Sequence, residues 1–148
     1  MTIISELHLQ NHKLTESSNV LLYLLKERAM CDTETSCELL FDFIKNMNNH
    51  LVLVDSLYKD LLSDKSSAAN NAARMFMSGE QELKRIIAQY TKKWCKKNSN
   101  QLRIADHDKF TQDTQDLFEM VLSRIQDETE HLYPLVRDIE QAKKAAAY

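Results

Sequence analysis

The chain has 148 residues, which is enough for one domain with a substantial core and short for two. It carries one Gly, one Pro, three Cys and a net charge of -3 at pH 7. So few turn residues disfavour sheet-rich folds, one Gly excludes a Gly-rich phosphate loop, and three cysteines do not indicate a disulfide framework. The N-terminus shows no secretory signal pattern, and no apolar run is long enough to cross a membrane. We therefore expect an all-α, cytoplasmic protein.

Apolar residues at helical spacing predict four long helices. The first runs from 3 to about 29, and the second from 33 to about 62, with Asp32 or Thr33 as its N-cap. The third runs from about 68 to 97, and the fourth starts near Asp106 and extends past Val136. Long helices joined by short polar turns predict an antiparallel, up-down-up-down four-helix bundle. We expect it to fill the chain, 1–148, as a single domain, with about 140–148 as a tail.

Polar side chains are expected to meet halfway along this bundle. In an antiparallel pair of helices, residues equally far from the connecting turn lie at the same height. Counting from the three predicted turns brings five side chains to one height, provided that each faces inward: His12, His50, Glu80, Arg124 and Glu128.

Four segments of the chain resemble a known family when they are read in order. They are "LHLQNHKLTESSNVLLYLL", "FDFIKNMNNHLVLVDSLY", "MSGEQELKRII" and "RIQDETEHLYPLV". Together they are similar to the hemerythrin-like (HHE cation-binding) family over most of the chain. The resemblance implies a four-helix bundle with a non-haem di-iron centre between its helices. In the family pattern, helices one and three each supply a His, and helices two and four each supply His-x-x-x-Glu.

The match to the family's ligand set is incomplete. The ligand positions that are kept are His12, His50 and Glu128. Val54 stands where the family has the Glu of helix two, with Asp55 adjacent. Glu80 replaces the His of helix three, and Arg124 replaces the His of helix four. A guanidinium is always charged and cannot ligate a cation, so Arg124 is the most consequential of these exchanges.

The exchanges favour one interpretation and leave a second open. In the favoured one, Arg124 pairs bidentately with Glu80 and Glu128, and its charge replaces the metal in a buried network completed by His12 or His50. The chain would then bind no cofactor and would not be an enzyme. It would act as a regulatory or protein-interaction module, somewhat as the helical regulator-of-sigma-D family of bacteria binds a transcription factor.

The second interpretation keeps a metal. His8 and His12 lie one turn apart on one helical face, and His50, Glu80, Glu128 or Asp55 would complete a mononuclear or dinuclear iron site if Arg124 points outward. The ligand set of such a site would be His12, His50, Glu80 and Glu128. The protein would then sense or carry oxygen or nitric oxide, or handle iron.

A second cluster is expected at one end of the bundle, where two turns meet. Its members are Cys31, Cys37, Cys95 and His107. Three thiols and an imidazole form a ligand set for structural zinc, although Cys-x5-Cys is not a standard zinc spacing. A redox pair is the next alternative, and small buried hydrophobic side chains are the favoured one.

The run "KKWCKK", Lys92 to Lys97, is the densest basic segment of the chain. Lysines in the last turn of a helix complement its dipole, and Trp94 is expected to cap the core. An acidic partner or nucleic-acid phosphates are the functional alternative. We expect a protein partner, leave a homodimer open, and regard nucleic acid and membranes as disfavoured.

Overall fold

The computed structural model describes residues 3–96 and 99–146, and the fold of these residues is all-α, as predicted. The helices are α1 (Ile3–Leu25), α2 (Arg28–Cys31), α3 (Glu34–Ser63), α4 (Ser67–Trp94), α5 (His107–Asp127) and α6 (Tyr133–Ala146), with a π-helical turn at Glu128–Leu132. Two predicted features fall partly outside the described residues: Lys97 of the basic run and residues 147–148 of the tail. Within the described ranges, no helix has the length and apolar character of a membrane-spanning segment.

Side-chain caps begin the three helices that follow a predicted interruption. The side chains of Thr33, Ser66 and Asp106 accept hydrogen bonds from the first-turn backbone N–H groups of α3, α4 and α5. Each cap satisfies a donor that has no partner inside its own helix. The predicted interruptions are therefore confirmed at Thr33 and Asp106, with Ser66 as the cap of α4.

The first helix ends earlier than expected, at Leu25 instead of near residue 29. The backbone of Glu27 is extended, and this breaks the helical path before the short helix α2 begins. The carbonyl of Leu25 lies 2.9 Å from Nε2 of His107, so the imidazole can donate a hydrogen bond to a carbonyl at the end of α1.

The long helices bury two apolar clusters at different heights. Helix α1 contacts α3 and α5, and α4 also contacts α3 and α5. The larger cluster includes Leu14, Leu51, Leu83 and Ile125, and the smaller one includes Leu7, Val54, Ala73 and Leu132. Buried polar side chains lie near the boundary between the two clusters: Asn11 on α1, His50 on α3, Glu80 on α4 and Glu128 in the π-helical turn.

The chain's only proline explains how α5 continues into α6. Pro134 has no N–H, and its ring would clash with the carbonyl of Glu130 in a regular α-helix. A π-helical turn precedes it, in which the N–H of Tyr133 donates to the carbonyl of Glu128, five residues back. The wider turn accommodates one extra residue, so the side chains of Glu128 and Tyr133 both face the interior.

Candidate functional site

A layer of polar side chains separates the two apolar clusters. We call these seven residues the polar layer: Asn11, His50, Tyr58, Glu80, Arg124, Glu128 and Tyr133. They come from α1, α3, α4, α5, the π-helical turn and α6. Because buried polar groups cost free energy unless they are paired, their partners define the site.

His50 and Glu128 form the centre of the polar layer, and neither side chain has any exposed surface. Nε2 of His50 lies 2.9 Å from Oε2 and 3.2 Å from Oε1 of Glu128. Nδ1 of His50 lies 3.2 Å from Oε1 of Gln10. The amide of Gln10 accepts from a protonated Nδ1 and, when rotated, donates to an unprotonated one. It therefore gives Nδ1 a hydrogen-bond partner in either tautomer of the ring.

Arg124 crosses from α5 toward α3 and α4, and its side chain is 10% exposed. Nη2 donates to the carbonyl of Phe76, at 2.7 Å, and to the hydroxyl of Tyr58. Its Nε lies 3.8 Å from Oε1 of Glu128, and its guanidinium stacks over the Phe76 ring at 5.0 Å. The positive charge of Arg124 thus lies against the central carboxylate.

Gly79 provides the space for this guanidinium. A Cβ at Gly79 would lie 2.9 Å from Nη1 of Arg124, closer than such contacts occur in proteins. A glycine inside a helix costs about 1 kcal/mol relative to alanine. The only glycine of the chain stands in mid-helix, at a position where a side chain would collide with Arg124.

Glu80 lies at the edge of the polar layer, with its side chain 4% exposed. Burial, a hydrogen bond with Asp55 and repulsion by Asp55 raise its pKa to about 8. Lys84, 3.5 Å from Glu80 and 3.6 Å from Asp55, and Arg124 lower this pKa without offsetting the burial. Oε1 of Glu80 has no hydrogen-bond partner among the described residues. The carboxyl of Glu80 therefore holds its proton to a higher pH than an ordinary glutamate does.

Two buried tyrosines complete the polar layer. Tyr133 accepts a hydrogen bond from Nδ2 of Asn11 at 3.0 Å, and Tyr58 accepts one from Arg124. Burial raises the pKa of both phenols. Both therefore remain neutral and contribute hydroxyl groups, not charge.

The expected inward placement of His12 is wrong. Its side chain is 70% exposed and pairs with Glu16 at 3.1 Å. The buried face of α1 carries Asn11 instead, between Leu7 and Leu14. His8 is also exposed and lies edge-on against the ring of Tyr133. The prediction thus chose the wrong face of α1.

Of the expected bidentate pairing of Arg124 with Glu80 and Glu128, one part is present: a single ion pair between Nε of Arg124 and Oε1 of Glu128, at 3.8 Å. Arg124 hydrogen-bonds to Tyr58 and to the Phe76 carbonyl, while the ion pair of Glu80 is with Lys84. The position of the guanidinium explains this. It occupies the space beside Gly79, where the backbone of α4 is closer to it than the carboxylate of Glu128 is.

The donor set does not fit a di-iron centre. His50 and Glu128 remain at the centre, with the guanidinium of Arg124 beside them, while Val54 is an apolar core residue. The described part of the chain contains no group of three or more His, Cys, Asp or Glu side chains that could hold a metal ion.

The cysteines lie at one end of the molecule, as expected, inside the larger apolar cluster. Cys31, Cys37 and Cys95 are buried free thiols. Burial raises the pKa of all three, that of Cys95 to about 11. The Sγ of Cys37 donates to the carbonyl of Cys31 at 3.3 Å, and His107 faces the Leu25 carbonyl. These contacts correspond to the interpretation as small buried side chains.

Several residues of the site were not predicted from the sequence. Gly79 belongs to the site because it leaves space for Arg124. Gln10 and Asn11 belong to it because their side-chain amides contact His50 and Tyr133. Two signals could have identified these residues. A lone glycine inside a long helical pattern indicates a close approach. The spacing of the buried positions in α1 places Asn11 inside and His12 outside.

No protein-family model, curated protein or solved structure matches the chain.

Proposed function

We propose that the chain is a hemerythrin-like four-helix bundle in which the guanidinium of Arg124 takes the place of a metal. We further propose that it works as a regulatory or protein-interaction module and not as an enzyme. The up-down-up-down arrangement is part of this proposal. It is supported by the contacts of α1 and α4 with both α3 and α5, and by the short connection between α3 and α4.

The observation that carries the proposal is the fixed charge beside the buried pair of His50 and Glu128. Nε of Arg124 is 3.8 Å from Oε1 of the fully buried Glu128. A divalent ion bound to that carboxylate would lie within a few ångströms of the guanidinium. The repulsion would be on the order of 5 to 10 kcal/mol at an effective dielectric constant of about 20. Arginine cannot relieve it by losing its proton.

A structural role for the polar layer follows from its partners. His50 bonds to Glu128 and Gln10, and Arg124 donates to Tyr58 and to the Phe76 carbonyl. Such a buried network adds little net stability but can fix which helices lie side by side and at what height. The exposed helix surfaces are then the part of the molecule that would bind a partner.

Metal analysis of the wild-type protein tests the proposal. Protein produced in iron-supplemented medium should contain far less than stoichiometric iron and should show no oxo-bridge absorption band. Stoichiometric iron with such a band would overturn the proposal and establish the alternative, a metal-binding hemerythrin-like protein.

An Arg124→His variant provides a second arm of the same experiment. It removes the fixed charge and adds an imidazole next to His50 and Glu128, so iron retention should rise. Arg137→His is the matched control, because Arg137 is exposed on α6. Equal iron contents in the two variants would show that Arg124 is not what blocks the metal.

A further inference from the structure

A groove runs along the surface between α3 and α4. Three cavities of about 800, 430 and 440 Å³ form it. Thr91 and Lys92 line both the first and the second cavity, and Lys84 lines both the second and the third. The cavities therefore adjoin end to end, and we call them together the α3–α4 groove.

One end of the α3–α4 groove is strongly basic. Lys92, Lys96 and Arg103 line the largest cavity, and Lys92 also lines the next, together with Lys84, whose charge is paired with Asp55 and Glu80. Among the described residues, no Asp or Glu lines either of these two cavities. Since the whole chain has a net charge of -3, this concentration of cations is local to the groove.

The α3 side of the same groove is mixed: each cavity has an apolar α3 residue, and Asn48, Asp55, Ser56 and Lys59 of α3 line the second and third cavities. Phe41 lines the first cavity, Ile44 the second, and Val52 the third. Val52 is 71% exposed, although it lies in the middle of a long helix. Apolar residues beside a group of cations are complementary to a helix with one apolar and one acidic face.

We propose that the α3–α4 groove docks an acidic amphipathic helix of a protein partner. From Met77 to Lys92, which line its two ends on α4, the groove covers about 23 Å, or roughly four helical turns. The acidic face of the helix would lie at the basic end, away from Asp55 and Glu80 of the third cavity, and nucleic acid fits less well because the apolar residues offer nothing to phosphates. This inference rests on the proposed function and identifies the surface and the partner class.

A synthetic peptide serves as the probe. It has about 20 residues, with Leu and Phe on one helical face and Glu on the other, and carries a fluorophore for anisotropy titrations. The wild-type protein should bind it saturably, with an affinity that falls as salt rises. A scrambled peptide of the same composition should bind at least about tenfold more weakly, because its apolar and acidic residues no longer segregate.

Two variant pairs locate the binding surface. Lys92→Glu/Lys96→Glu should weaken binding by about tenfold or more, because two cations become anions at the rim. The control with the same charge change, Lys143→Glu/Lys144→Glu on α6, should not. Val52→Asp should weaken binding, whereas Val20→Asp, at a 49% exposed position on α1, should not. Circular dichroism verifies that each variant is folded.

Several outcomes would overturn the inference. They are no saturable binding, equal binding of the scrambled peptide, or equal losses in the groove and control variants. Tighter binding of a single-stranded oligonucleotide, lost in Lys92→Glu/Lys96→Glu, would assign the face to nucleic acid. None of these outcomes changes the iron content, so the proposed replacement of the metal by Arg124 is decided separately.

Discussion

Gly79 lies directly against Arg124, and a Cβ at Gly79 would be 2.9 Å from Nη1 of the guanidinium. The helix thus carries its least favourable residue other than proline where an arginine from another helix approaches it. The two residues form a complementary pair, one providing the space and the other the charge.

This pairing predicts opposite effects of Gly79→Ala in two backgrounds. In the wild type, the methyl group displaces the guanidinium, and the free energy of unfolding should fall by about 1 kcal/mol or more. In an Arg124→Met background the long apolar side chain can shift aside, and alanine should add up to about 1 kcal/mol. Chemical denaturation measures both. The exposed neighbouring change Ser78→Ala is the control, and equal effects of Gly79→Ala in the two backgrounds would rule out the pairing.

The second prediction concerns the charges of Arg124 and Glu128. Arg124→Met should cost about 3 kcal/mol, because it leaves the buried Glu128 without its cation. Glu128→Gln keeps a hydrogen-bonding partner for His50 but removes the negative charge. The double variant should be more stable than the sum of the single losses implies, by about 1 kcal/mol or more. Strictly additive losses would show that the two groups do not interact.

Much of the fold was predictable from local signals. Apolar spacing predicted the long helices, and short polar segments predicted an N-cap at Asp32 or Thr33 and a helix start near Asp106. These features depend on residues close together in the chain, so sequence alone contains them. The π-helical turn could not be predicted from local signals alone, because it depends both on the constraint of Pro134 and on the burial of Glu128 and Tyr133.

The candidate site was predictable only in part. Counting along the helices placed His50, Glu80, Arg124 and Glu128 near one height, and the structure brings all four into the polar layer. The count along the helices did not identify which face of α1 is buried. It therefore predicted His12 at the position in the site that Asn11 occupies. The partners of Arg124 depend on distances between three helices, and no local pattern contains those distances.

The third prediction is a pH dependence that originates at Glu80. Its folded-state pKa of about 8 exceeds the ordinary value of 4.5. Between these two values the folded state holds a proton that the unfolded state has released. Stability should therefore fall as pH rises from about 5 to 8, by at most about 1.4 kcal/mol per pH unit.

Glu80→Gln should remove this part of the pH dependence, because an amide has the shape of the protonated acid and does not ionise. The free energy of unfolding, measured from pH 5 to 8, should decline less steeply in this variant than in the wild type. Glu119→Gln, at an exposed position on α5, is the control and should behave like the wild type. Parallel profiles for wild type and Glu80→Gln would show that Glu80 does not titrate in this range.

The fourth prediction concerns the thiols. Burial raises the pKa of Cys31, Cys37 and Cys95, so the reactive thiolate is scarce in the folded state at neutral pH. A coloured disulfide reagent should react slowly with the native protein and rapidly with all three cysteines in denaturant. Rapid reaction of the native protein, or release of zinc during the reaction, would support a redox or zinc site instead.

The most direct test of the central claim is the free energy of unfolding of the wild-type protein with a strong chelator and with excess ferrous iron under anaerobic conditions. If Arg124 supplies the cation of the polar layer, the two values should agree within about 0.5 kcal/mol, because no metal binds the folded state. A ligand of the folded state alone stabilises it by RT ln(1 + [L]/Kd). Stability that rises with the logarithm of iron concentration would contradict the replacement of the metal by Arg124.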